Sequence, residues 1–147
     1  MAHVNQQVRD AVKAALLGGA VKTIRGTAGP DLLDVEFPAA VVATDGDQAE
    51  PWSKGPPVQE VRSIELTVFV VSAGDPETLA DELDTLRSAI ETAVNGSLGV
   101  IARRLQHTAG ETTYGQDEET DRWVGFLLLT WVVDVVTDKG NPEVAFV

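Results

Sequence analysis

The chain's only imidazoles are His3 and His107, and it contains no cysteine. Thiolate nucleophiles, thiolate metal sites and disulfides are therefore excluded. His3 sits at a terminus expected to fray. His107 lies in a polar stretch with no cysteine and no second ordered histidine to share a metal, so a structural role outweighs a ligand or base role. No Gly-rich run matches a phosphate-binding loop, and no serine sits in a nucleophile elbow. Gly18-Gly19 and Gly74 read as helix punctuation. The acidic run Asp117, Glu118, Glu119 and Asp121 comes nearest to a cation site, but it lacks the spacing and the glycine of a calcium loop. A solvated hairpin tip is the first reading of that run. The other is contact with a basic patch or a divalent cation at a subunit boundary. Arg103-Arg104 is the one basic pair of the C-terminal half. It suits either an acidic loop of a neighbouring copy or the protection of an edge strand. These residues imply non-covalent contacts: no cofactor, no metal and no enzyme activity is expected from them.

The elements that must carry these residues fit one domain, 1–147. Twenty-three acidic residues against 11 basic ones give a formal net charge of −12. That balance argues against a free-standing nucleic-acid binder, which needs basic surface to neutralise phosphates. It does not exclude a protein that encloses DNA without gripping it. No apolar run approaches the length of a membrane span, and the first residues lack the basic-then-apolar order of a signal peptide.

The stretch Arg62–Ser72 organises the rest. Ile64, Leu66, Val68 and Val70 make an unbroken apolar face. The other face is polar at Ser63, Glu65 and Thr67 and apolar at Phe69 and Val71. Such a period of two predicts a strand in a sheet whose second face is only partly covered. The Val70–Val71 end is expected under the helices.

Before it, Asn5–Leu17 reads as a helix with Val4, Val8, Val12 and Leu16 on one stripe, ended by Gly18-Gly19 in a left-handed turn. A short extended piece follows at Val21–Arg25. Leu33–Thr44 predicts a second strand, with Pro38 at its start or on an edge because it cannot donate to a ladder. Asp45–Gln59 reads as a long polar loop carrying Trp52 and Lys54. Trp52 either folds back onto the domain or meets a partner.

After the strand, Asp75 reads as an N-cap, with Pro76 and Glu77 suited to a first turn. Leu79, Leu83, Leu86, Ile90 and Val94 form the apolar stripe of a helix that Asn95-Gly96 would stop. Leu98–Ile101 is a connector. Arg103–Tyr114 is a polar, edge-like strand, followed by the acidic turn. Arg122–Val136 is apolar on both faces and predicts a central strand, or one that becomes covered on assembly. Residues 137–142 read as a turn and Glu143–Val147 as a tail. The two consecutive strand pairs read as hairpins. The fold class is α+β in two layers: a mostly antiparallel sheet with two amphipathic helices on one face.

The order of these landmarks resembles the tail terminator (minor tail protein U) family of long-tailed, lambda-like phages. The resemblance rests on Val8-Arg9-Asp10-Ala11-Val12 in the first helix and on Glu36-Phe37-Pro38-Ala39 at a strand entry. It continues through Glu65-Leu66-Thr67-Val68-Phe69, through Asp75-Pro76-Glu77-Thr78-Leu79-Ala80-Asp81, and through an acidic turn ahead of Trp123. Together these span nearly the whole chain. The final strand is more valine-rich than the family's, and residues follow it. The resemblance implies a structural virion protein, assembled in the host cytoplasm, that caps the tail tube as a hexameric ring. It would stop elongation and form the surface that joins the head. Its implied partners are further copies of itself, the tail tube protein and a head completion or connector protein. DNA would pass through the lumen without specific binding. Under this reading the contacts fall on Trp52 and Lys54 of the loop, and on Asp117, Glu118, Glu119 and Asp121 facing Arg103 and Arg104. A cyclic interface needs two different surfaces per subunit, and those segments would supply them. The alternatives are another head–tail connector or neck protein, and a small-molecule-binding domain.

Overall fold

The alternation in Arg62–Ser72 becomes the long strand β3 (Gln59–Gly74), deep in a six-stranded sheet. The computed structural model describes residues 3–26, 36–51, 59–116, 122–138 and 141–146. Within them the order is α1 (Val4–Leu17), β1 (Thr23–Arg25), β2 (Ala39–Pro51), β3, α2 (Leu79–Leu98), β4 (Arg104–Gln116), β5 (Trp123–Asp138) and β6 (Asn141–Phe146). The sheet runs β1-β2-β3-β5-β4, with β6 also paired to β5. Every pairing is antiparallel except the short β1–β2 contact. The class is α+β, and both hairpins form, β2–β3 and β4–β5.

Both helices pack on one sheet face. Val4, Val8, Val12 and Leu16 of α1 and Leu79, Leu83, Ile90, Val94 and Leu98 of α2 are all at most 1% exposed. They meet Ala40, Val42, Ile64, Leu66, Val68, Val70, Leu127, Leu129, Trp131, Val133 and Val135 from the sheet. Each fully buried aliphatic side chain contributes roughly 1.5–3 kcal/mol. These two stripes and the alternating strands therefore dominate the fold.

The opposite face is divided. Ala39, Val41, Val71 and Val124 are buried there, with Phe37, Phe69, Ala73 and Phe126 packed around them. Phe69 and Phe126 stack at 5.9 Å. Toward the other end that face turns polar at Glu65, Ser63 and Asp134, where Ser63 Oγ donates to Asp134 Oδ1 at 2.7 Å. Val71 belongs to this second cluster, so of the Val70–Val71 pair only Val70 lies beneath the helices.

Several boundaries differ from the sequence expectation. Gly18 ends α1 with φ −69°, a right-handed value. The Leu16 carbonyl instead accepts from Ala20 and Val21 at 3.0 and 3.1 Å, which closes the helix without a left-handed residue. Asp75 caps a turn that precedes α2: its Oδ1 accepts from Glu77 N at 2.9 Å and its carbonyl from Leu79 N at 2.8 Å. The helix proper starts after Thr78. It also runs past Asn95-Gly96 to Leu98, because Leu98 extends the Ile90–Val94 stripe by one turn and is fully buried. That burial outweighs the roughly 1 kcal/mol cost of a glycine inside a helix.

The largest difference is in β2. Asp45–Pro51 is not loop but continues the strand, paired residue by residue with Ser63–Glu60 and Glu65. Gly46, at φ +68°, makes the irregularity between Asp45 and Gln48. Asn141–Phe146, read as part of a turn and a tail, is strand too: β6 pairs antiparallel with β5 just past the Arg104 start of β4.

Candidate assembly interface

β4 is the sheet's edge, as its polar sequence suggests. Nearly all of its residues are exposed. It begins where Arg103 N donates to the Asp134 carbonyl at 2.7 Å and ends opposite Trp123. Arg103 and Arg104 are both exposed at its first end. Arg104 Nη2 reaches Gln106 Oε1 at 3.4 Å.

A cluster from α2 holds β4 down. Glu91 Oε1 accepts from Arg87 Nε at 3.1 Å and lies 3.2 Å from His107 Nε2. The other imidazole nitrogen, Nδ1, donates to the Thr130 carbonyl at 2.9 Å. The ring itself rests against Trp131 at 4.7 Å between centroids. Gly110 lets the Arg87 guanidinium sit directly against the strand, since a Cβ there would overlap its Nη2. His107 thus has a structural setting: helix carboxylate on one side, sheet carbonyl on the other. His3 is also placed, as the N-cap of α1, where its Nδ1 accepts from Asn5 N at 3.1 Å. No group of three or more His, Asp or Glu with metal-binding geometry occurs among the described residues.

The far end of β4 carries aromatics. Tyr114 and Trp123 are 51% and 40% exposed and, with Pro76, Leu79 and Ala80, line a surface groove of about 420 Å³. Sequence reasoning passed over this pair. The signal was an aromatic on either side of the acidic turn, at the same end of a hairpin.

The opposite edge of the sheet belongs to β2. β1 covers it at Ala39–Val41. From there to Pro51 no strand lies outside it among the described residues. Asp45, Gln48, Ala49, Glu50 and Pro51 are exposed. This edge carries Asp45, Asp47 and Glu50 and no lysine, arginine or histidine. It went unseen because Asp45-Gly46-Asp47 has turn composition. Its partner Gln59–Ser63 has no apolar alternation of its own, so the pairing was not legible from either strand.

Of the residues singled out from the sequence, Arg103 and Arg104 are thus placed at the start of β4. Trp52, Lys54, Asp117, Glu118, Glu119 and Asp121 lie outside the described residues. The acidic turn follows Gln116, twelve residues along β4 from Arg104, so at about 3.3 Å per residue the two ends are roughly 40 Å apart.

No protein-family model matches the chain. No curated protein matches it either. Among solved structures it is similar to a chain in the virion of a native gene transfer agent (GTA) particle, at 18% identity and a TM-score of 0.37. That comparison covers 90% of this chain and 92% of that one.

Proposed function

We propose that this chain is a structural virion-assembly protein that caps a phage tail tube as a ring, ends its elongation and presents the head-joining surface. One observation carries the ring: among the described residues the sheet has two chemically unlike open edges, acidic along β2 and basic at the start of β4. Two different surfaces on one subunit give a heterologous, head-to-tail contact, which closes into a ring when the rotation per subunit allows it. The order of landmarks shared with tail terminators supplies the tube-capping part of the reading. The test is mass measurement and electron microscopy of the full chain over a range of protein and magnesium concentrations, alone and with purified tail tubes. Closed rings seated on tube ends are expected. A chain that stays monomeric throughout and ignores tube ends refutes the reading.

A further inference from the structure

The structure assigns the subunit contact to the two sheet edges: Asp45–Ala49 of β2 in one copy pairs antiparallel with the Arg103–Gln106 start of β4 in the next. This rests on the ring reading and specifies which atoms make the ring.

Three features of the sheet support it. The first is direction. β2, β3, β5 and β4 alternate in sense, since each neighbouring pair is antiparallel. A second copy placed beside the first without being turned over therefore brings its β2 against β4 in antiparallel sense. The sheet then continues across the boundary as an ordinary ladder.

The second is level. Asp45 pairs with Glu65, Glu65 with Val132, and Val132 with Gln106. Likewise Gln48, Ser63, Asp134 and Arg104 lie in one row. Asp45 and Gln48 are thus at the height of Gln106 and Arg104, and Glu50, level with Val136, stands just past Arg103, where β6 takes over the edge. Copies related by rotation about an axis along the strands meet at that height.

The third is charge. The β2 edge offers Asp45 and Glu50, both exposed. The β4 end offers Arg103 and Arg104, and Glu111 is the one carboxylate between Arg103 and Gln116. Opposite charges across the junction fix register and reject a like edge. In such a ring Arg103 and Arg104 meet the β2 carboxylates, which displaces their pairing with the 117–121 run. A two-fold arrangement, β4 against β4, would restore that pairing by setting Arg104 opposite Gln116. It would also stop at two subunits and leave the β2 edge unpaired.

The experiment uses two charge-reversed full-length proteins. One carries Arg103→Glu and Arg104→Glu, so both of its edges are acidic. The other carries Asp45→Lys and Glu50→Lys, so both are basic. Each alone is expected to require at least about tenfold more protein than the wild type to assemble. Mixed one to one, they are expected to recover assembly, with the two proteins alternating around the ring in sedimentation and native mass measurements. Circular dichroism and urea unfolding of each variant confirm that it is folded. Wild-type-like assembly of either variant alone, or failure of two folded variants to recover on mixing, overturns the edge assignment and leaves the ring reading standing. Masses that stop at two, with the Arg103/Arg104 variant rescued by reversing 117–121 instead, overturn it in favour of the two-fold arrangement. A wild-type chain that never assembles, alone or on tube ends, overturns the ring reading itself.

Discussion

Gly125 of β5 gives the sharpest test of how α2 is seated on the sheet. It faces Leu83, which is 1% exposed. A Cβ added at Gly125 would overlap Leu83 Cδ1 and lie 3.1 and 3.2 Å from Cγ and Cδ2. The neighbour is a packed leucine whose helix is held by Leu79, Ile90, Val94 and Leu98, so it has little room to yield. Overpacking of this kind costs about 1–3 kcal/mol. Replacing glycine by alanine in a strand returns roughly 0.5–1 kcal/mol through the unfolded chain's entropy. Gly125→Ala is therefore expected to destabilise by about 1–2 kcal/mol. Leu83→Ala alone removes a fully buried side chain and should cost about 2–5 kcal/mol. In the Leu83→Ala background the clash is gone, so Gly125→Ala should become neutral or stabilising by about 0.5 kcal/mol. The double-mutant cycle thus predicts a coupling of about 1–2 kcal/mol and a change of sign. Urea unfolding of the four proteins measures it. If Gly125→Ala costs the same in both backgrounds to within about 0.5 kcal/mol, the two sites are independent and the close packing inferred here is wrong.

Gly46, at φ +68°, should tolerate Asn better than Ala, with Gly46→Ala costing about 1–2 kcal/mol by urea unfolding. His107→Ala removes the link between Glu91 and the Thr130 carbonyl and should cost about 1 kcal/mol. Its mark would be faster hydrogen exchange at the β4 amides near Gly110, with β3 unaffected. Trp131 is fully buried and its Nε1 finds no hydrogen-bond partner among the described residues, so Trp131→Phe discards an unsatisfied donor and should cost less, by about 1–3 kcal/mol, than Trp131→Ala. Ring assembly through exposed charges should move to higher protein concentration as salt rises, because the screening length falls from about 10 Å at 0.1 M to about 3 Å at 1 M. Sedimentation at several salt concentrations reads this directly, and salt-insensitive assembly would argue against charged edges.

Much of the fold was legible because periodicity is local. The stripe Val4–Val8–Val12–Leu16 and the alternation Ile64–Leu66–Val68–Val70 each name an element and the face it buries, whatever surrounds them. Arg122–Val136, apolar on both faces, announced a central strand, and the polar Arg103–Tyr114 announced an edge. Composition misled where a neighbour decided the outcome. Asp45-Gly46-Asp47 has turn chemistry, yet it is strand because Gln59–Ser63 and the end of β5 supply a ladder to join. Asn95-Gly96 has stop chemistry, yet the helix continues because Leu98 has a core to enter.

The candidate interface divides in the same way. The sequence by itself determined the net acidity, the lack of thiol chemistry, the basic pair at Arg103-Arg104 and the carboxylates at 45, 47 and 50. Which of those charges can face each other was decided by tertiary structure alone. Strand order puts β2 and β4 on opposite edges, and register puts Asp45 and Gln106 in one row while setting Gln116 at the far end of β4 from Arg104. Charge is a property of each residue. The height and the edge at which it stands are properties of pairings between residues far apart in the chain.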